Sequence, residues 1–263
     1  MCERLVSSAG GRLPSATRTT DDFVIRHASR ADLPEMARIH VRMLPVGLFP
    51  ALGERFVRRW HRTYLDCRFG VALVAGDVTD PSGEIAGFLV GSTDHAGYMS
   101  ALVAHRRQLS RLALAGVVGM LRRPRLIGRF LRTRARTWLP RALLGRGASW
   151  YPRAATPGRP VEAPALLDAV AVRSELRRRG VATQLIDRFL VEAAEGGARL
   201  AELVTDTNSS GATALYEHLG WTPVGDYVSW DGGTVRVYRY RLPGPGPGPG
   251  PGPDPGPGRG PGQ

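Results

Sequence analysis

Leu166-Leu167-Asp168-Ala169-Val170-Ala171-Val172, followed by Arg177-Arg178-Arg179-Gly180-Val181-Ala182-Thr183, is the stretch that decides the fold of this 263-residue chain. It reads as a buried strand, a short turn and the first turn of a helix. The strand is apolar except for Asp168. The helix, from about Gly180 to Ala194, carries Val181, Leu185, Phe189 and Ala193 four apart on one face. The loop between them leads into a helix N-terminus, where backbone N–H groups lack intrahelical partners and the helix dipole is positive. Such a place receives a phosphate or pyrophosphate.

Upstream, Phe23-Val24-Ile25-Arg26 reads as a first strand. Ser29 or Asp32 caps a helix through Met36, Ile39 and His40, and Pro34 suits its first turn. A second helix is expected from about Pro50 to Leu65, with Leu52, Phe56, Trp60 and Tyr64 four apart. Phe69–Ala75 and Glu84–Gly91 form a hairpin around Asp80-Pro81-Ser82-Gly83. Downstream, Leu200–Val204 is a strand. Asn208-Ser209-Ser210-Gly211 is a turn that caps a helix over Ala212–Leu219, which Gly220 ends. Tyr227–Trp230 and Thr234–Leu242 form a last hairpin around Asp231-Gly232-Gly233.

The charge is unevenly spread. The chain has 36 basic residues, all arginine, and a net charge of +13. Residues 95–161 hold 14 arginines and no Asp or Glu, so the whole basic excess sits there. Leucines, Phe130, Trp138 and Trp150-Tyr151 interleave with these arginines. The segment therefore reads as a basic helical insertion, divided by Pro124 and Pro140. It is either a solvated appendage or a docking face for an anionic partner or membrane surface. No recognisable nucleic-acid motif accompanies the charge, so specific nucleic-acid binding is not expected.

Residues 1–22 and the Pro-Gly tail, 243–263, lack apolar periodicity and are expected to be disordered. The two cysteines are Cys2 and Cys67. Cys2 lies in the tail, which argues against a structural disulfide and for a reducing, cytoplasmic setting. The longest apolar run, Leu112–Leu121, is about half the ~20 residues a spanning helix needs. His40, His61, His105 and His218 are dispersed, and no metal site is expected.

Two motifs carry a family resemblance. Arg177-x-x-Gly180-x-Ala182 follows a strand directly. Asn208-x-x-x-Ala212-x-x-Leu215-Tyr216-x-x-x-Gly220-Trp221 lies on the later helix. Together, and with this order of strands and helices, they resemble the GNAT superfamily of acyl-CoA-dependent N-acyltransferases. The likeness covers about residues 23–94 and 162–242. It implies an α/β (α+β) fold with a mixed, mostly antiparallel central sheet flanked by helices, and places the insertion before the cofactor-binding strand.

The resemblance also implies residue roles. Backbone groups of Val170 and Val172 would pair with the pantetheine arm of acetyl-CoA, as an added strand would. N–H groups of Arg178, Arg179, Gly180, Val181, Ala182 and Thr183 would cradle the pyrophosphate, with Arg177 opening the motif. Asn208 would hold the pantetheine side, and Tyr216 would stand near the thioester sulfur as general acid. The chemistry is coherent, because a phenol with a pKa near ~10 can protonate a departing thiolate whose own is near ~8.5. Asp168, placed by alternation on the face of Val170 and Val172, is the candidate general base, with Glu84 and His40 as weaker candidates. A carboxyl among Leu, Ala and Val would have its pKa raised by desolvation.

The expected activity is transfer of an acetyl group from acetyl-CoA to a primary amine on an amino sugar, a small amine or a protein N-terminus. The alternative is a non-catalytic acyl-CoA-binding module whose basic insertion docks on a membrane surface or anionic partner. A monomer or homodimer is expected.

Overall fold

The computed structural model describes residues 23–77, 84–122, 163–229 and 233–243. The expected tails, the 80–83 turn, the tip of the last hairpin and the insertion beyond residue 122 lie outside these residues.

The sheet runs through the whole described chain. Its strands are β1 (Phe23–His27), β2 (Gly70–Asp77), β3 (Gly87–Ser92), β4 (Ala165–Val172), β5 (Leu200–Asp206), β6 (Thr222–Val228) and β7 (Thr234–Arg241). They lie in the order β1-β2-β3-β4-β5-β7-β6. All neighbours are antiparallel except β4 and β5. The fold is the mixed, mostly antiparallel α/β architecture that the resemblance implies.

The helices are α1 (Leu33–Met43), α2 (Leu48–Ala51), α3 (Glu54–Leu65), α4 (His95–Ala104), α5 (Arg106–Leu121), α6 (Val181–Glu195) and α7 (Ser210–His218). The single helix expected over Pro50–Leu65 is broken. Gly53 takes φ +90°, a conformation glycine adopts without steric cost, and α3 starts after it. Asp94 caps α4 by accepting from the Gly97 N–H at 2.9 Å. The described part of the insertion is thus two helices. α5 packs through Ala115 and Gly116 toward Phe56 of α3, and Gly119 approaches Leu52.

Two cores sandwich the sheet. On one face α6 and α7 pack with Leu73, Leu89, Leu167, Phe189, Tyr216 and Tyr238. On the other, α1, α3, α4 and α5 pack with Val74, Phe88, Val90, Ala169 and Ala171. The side-chain alternation of β4 slips midway. Ala165 and Leu167 face α6, and so do Val170 and Val172, whereas Ala169 and Ala171 face α1 and α3. The slip is a β-bulge: Val90 of β3 opposes Ala169 and Gly91 opposes Leu167, so the register skips Asp168.

The histidines are not all dispersed. His40 of α1 and His61 of α3 are both buried, and His61 Nε2 lies 3.2 Å from His40 Nδ1. Trp60 and Phe88 pack on the pair. Each histidine occupies an apolar-face position of its own helix, beside Met36 and Ile39 in α1 and beside Val57, Trp60 and Tyr64 in α3. Among the described residues no three His, Cys, Asp or Glu side chains are grouped to hold a metal ion.

Burial holds both imidazoles below their ordinary pKa: His40 is brought to about 4, and His61 is held well below its usual value, with the His40 charge opposing its protonation further. A histidine whose folded pKa is depressed binds its proton more readily once unfolded. Its stabilising contribution is complete above the unfolded value of about 6.5 and is lost as pH falls from there toward the folded value. The melting temperature should therefore decline steadily between pH 7 and pH 4.5 in scanning calorimetry. A flat profile over that interval would contradict the buried neutral pair. A second decline belongs to Asp32. Burial alone would raise its carboxyl, but hydrogen bonds from Arg26 and Ser29 outweigh burial and bring it to about 2. That contribution is present above pH ~4 and lost below it. Asp32→Asn should cost about 1–3 kcal/mol at pH 7 in urea unfolding.

Candidate functional site

The site begins with two strands that separate. β4 and β5 pair in parallel at only three positions, Ala165 with Ala201, Leu166 with Glu202 and Leu167 with Leu203. Beyond these, β4 continues to Val172 and β5 to Asp206 with no ladder between them. The outer edges are occupied: β3 pairs along β4, and β7 pairs along β5 as far as Asp206. The result is a wedge inside the sheet, with backbone groups on its inner edges. Such an edge accepts an extended ligand as it would accept a strand.

At the open end of the wedge β4 passes into a single turn, Ser174–Leu176, and then into the loop before α6. Gly180 takes φ +76° and precedes the first residue of α6. Arg178 takes φ +63° and is the only non-glycine with positive φ among the described residues. For an L-residue this conformation costs roughly 1–2 kcal/mol. Strain of this kind collects where a loop must present its backbone to a ligand. The first main-chain bond of α6 runs from the Gln184 N–H to the Gly180 carbonyl at 3.0 Å. The N–H groups of Val181, Ala182 and Thr183 precede it and lack an intrahelical acceptor. Left-handed residues beside a helix N-terminus make a concave backbone site for an anion.

Arg177 turns away from that loop. Its Nε donates to the Val172 carbonyl at 3.3 Å, and its terminal nitrogen contacts Met43 Sδ at 3.4 Å. The first motif arginine therefore braces the loop against the end of β4 and the end of α1. Arg178 and Arg179 stay at the surface. Arg173, at the exit of β4, pairs with Glu35 at 2.6 Å and Glu84 at 2.8 Å. The Arg173 guanidinium beside Glu84 lowers that carboxyl's pKa. Glu84 is thereby tied up as a surface ion pair.

α7 starts four residues beyond the end of β5. Tyr216 is 6% exposed and packs on Trp221 and Tyr238, in the core on the α6 face. Burial raises its phenol above the ordinary pKa. The side chain thus stays protonated through the physiological range. Asn208 is exposed, and its Nδ2 donates to Asp206 Oδ1 at 3.0 Å. Its neighbour Ser209, not Asn208, precedes the first turn of α7.

Asp168 is not on the face of Val170 and Val172, as simple alternation implies. The bulge turns it toward the opposite core, where its negative charge adds to the effect of burial in raising the Tyr98 phenol. Tyr98 of α4 is anchored there by Thr63, with the two hydroxyls 2.6 Å apart, and by stacking on Tyr64 at 4.7 Å. Tyr98 and Thr63 were not legible as neighbours of the site. The Asp94 cap locates α4 in the sequence, but nothing in the sequence says which strand α4 meets. Val170, Val172 and the 177–183 loop lie along one side of the wedge, Asn208 and Tyr216 follow the other, and Asp168 stands near its apex.

The sequence profile of the acetyltransferase (GNAT) family matches residues 153–221. No curated protein matches the chain by sequence. Solved structures share the fold at low identity. One is SsHAT, 18% identical, with a TM-score of 0.52 over 83% of this chain and 98% of that one. Another is NAA60 of Arabidopsis thaliana, crystallised with a bisubstrate analogue. It is 15% identical, with a TM-score of 0.50 over 85% of this chain and 99% of that one. The profile ends at Trp221, past both motifs, so residues 153–221 are similar to the acetyltransferase (GNAT) family, and the described chain shares the fold of these solved structures.

Proposed function

We propose that the chain transfers the acetyl group of acetyl-CoA to a primary amine by direct attack in a ternary complex. The observation that carries this reading is the loop of residues 177–183, a backbone anion site at the mouth of a sheet parted between β4 and β5. In this reading, N–H groups from Arg178 to Thr183 hold the pyrophosphate. The exposed edge of β4 at Val170 and Val172 pairs with the pantetheine arm. Asn208 flanks the arm on the β5 side. The two described helices of the insertion, α4 and α5, flank the acceptor side.

The two titratable groups divide the work. In this reading the wedge admits ligands from both faces of the sheet. Tyr216 belongs to the α6 face and Asp168 to the α1–α3 face. The donor enters from the first and the amine from the second. The amine nitrogen forms the new C–N bond as the C–S bond breaks. The ammonium proton passes to Asp168, and the thiolate takes the Tyr216 proton. A phenol raised by burial is fully protonated before this step. The acceptor is an amino sugar, another small amine or a protein N-terminus. Because an α-amine has a pKa near ~8 and an alkylamine near ~10.4, the second depends more on a base.

Three outcomes are expected. Tyr216→Phe should lower kcat about 100-fold while leaving the Kd for acetyl-CoA unchanged, measured by thiol release and calorimetry. Asp168→Asn should lower kcat/KM more for an alkylamine than for an α-amine; equal losses would remove Asp168 from the role of base. Gly180→Ala should cost about 1 kcal/mol of stability and weaken acetyl-CoA binding, because φ +76° is unfavourable for alanine. If acetyl-CoA raises the melting temperature but no amine in a broad panel supports thiol release, the enzymatic reading fails and the binding-module reading replaces it.

A further inference from the structure

A second cationic site lies on the α1–α3 layer. Arg30, Arg58, Arg59 and Arg62 line a cavity of about 340 Å³ with Leu33 and Pro34. None of these residues belongs to the wedge or to the 177–183 loop, and no carboxylate lines the cavity. The arginines come from two elements. Arg58, Arg59 and Arg62 share the exposed face of α3, and Arg30 lies just before α1.

Asp66 ties the two elements together. Its carboxylate accepts from Arg30 at 3.1 Å and from Arg62 at 3.0 Å. Two of the four guanidiniums are thereby positioned at the rim. Arg58 and Arg59 form no ion pair with a described residue. The first turn of α1 adds to the positive potential. Leu33 and Pro34 are its first residues, and the Asp32 side chain does not cap it, being engaged instead by Arg26 and Ser29. An uncapped N-terminus of an 11-residue helix therefore lies at a pocket of four arginines. Each feature favours the same ligand charge.

We propose that this pocket binds a small oligophosphate, a ligand carrying two or more linked phosphates such as a nucleoside diphosphate. Four guanidiniums against one rim carboxylate leave more positive charge than a single phosphate neutralises. The planar fork of arginine pairs two phosphate oxygens at once. The volume falls at the small end of the range for metabolite sites. Leu33 and Pro34 offer an apolar wall to a base or ring. A bilayer surface is flat and does not fill such a concavity.

The test is calorimetric titration of inorganic pyrophosphate and of ADP into the full chain at saturating acetyl-CoA, which occupies the 177–183 loop. Binding should persist under that condition and weaken as salt is raised. The exposed double variant Arg58→Gln/Arg59→Gln should weaken it about tenfold or more without changing its melting temperature or its affinity for acetyl-CoA. Arg58→Lys/Arg59→Lys keeps the charge, loses the fork and should fall between. Should acetyl-CoA itself not bind, the proposed function fails, and the same titration without it still decides this site by comparing wild type with the double variant. The inference is overturned if acetyl-CoA abolishes all pyrophosphate and ADP binding, or if the double variant binds both like wild type. A single-stranded oligonucleotide that binds far more tightly than ADP, and does so only with Arg58 and Arg59 intact, would also overturn it by making the surface a nucleic-acid contact.

Discussion

Everything at the site depends on two neighbouring strands ceasing to pair. Backbone N–H and C=O groups inside a sheet are normally satisfied by the next strand. Here β4 and β5 share three residue pairs and then part. Each is held on its other side. β7 binds β5 to its last residue, and β3 binds β4 through a bulge. A bulge increases local twist and bends its strand. The two halves of the sheet are thereby swung apart without loosening either core. The polar edges left in the gap are satisfied by whatever enters.

The same bulge decides the chemistry of the gap. Without it, period-two alternation would run unbroken along β4. With it, Leu167 and Val170 both face α6, and Asp168 is delivered to the core that holds Tyr98. Asp168 and the Tyr216 phenol therefore end on opposite faces of one sheet. The Arg177 brace fixes the loop to the carbonyl at the end of β4 and to Met43 of α1. The anion site and the helical layer opposite are thus joined through one side chain.

The sequence made the local elements legible and left the long-range ones hidden. Apolar spacing located α1, α3 and α6. The Asp94 cap of α4 is a local signal of the same kind. The joint motifs at Arg177 and Asn208 carried the resemblance to the superfamily, because they encode backbone geometry within short windows. The break at Gly53 could be read only as a glycine within a continuous four-residue periodicity. The bulge could not be read at all, since it arises from how Val90 and Gly91 meet a strand some 75 residues away. The His40–His61 contact had a faint signal, a histidine on the apolar face of each helix. Their meeting follows from helix packing, which periodicity does not specify. The arginine pocket was hidden for the same reason. α3 shows its arginines plainly, but Arg30 joins them through the fold and the Asp66 ion pairs.

The arginine face of α3 has one more consequence, which concerns what the protein cannot do to itself. The chain contains no lysine. A guanidinium remains charged at any physiological pH and has no free nucleophilic lone pair, whereas an ε-amine loses its proton readily when partly desolvated. Every fixed cation on this surface is therefore inert toward a thioester. If the chain handles an activated acyl donor as proposed, it keeps its positive charge without offering a side-chain amine to be capped, and its electrostatic surface does not drift as it works.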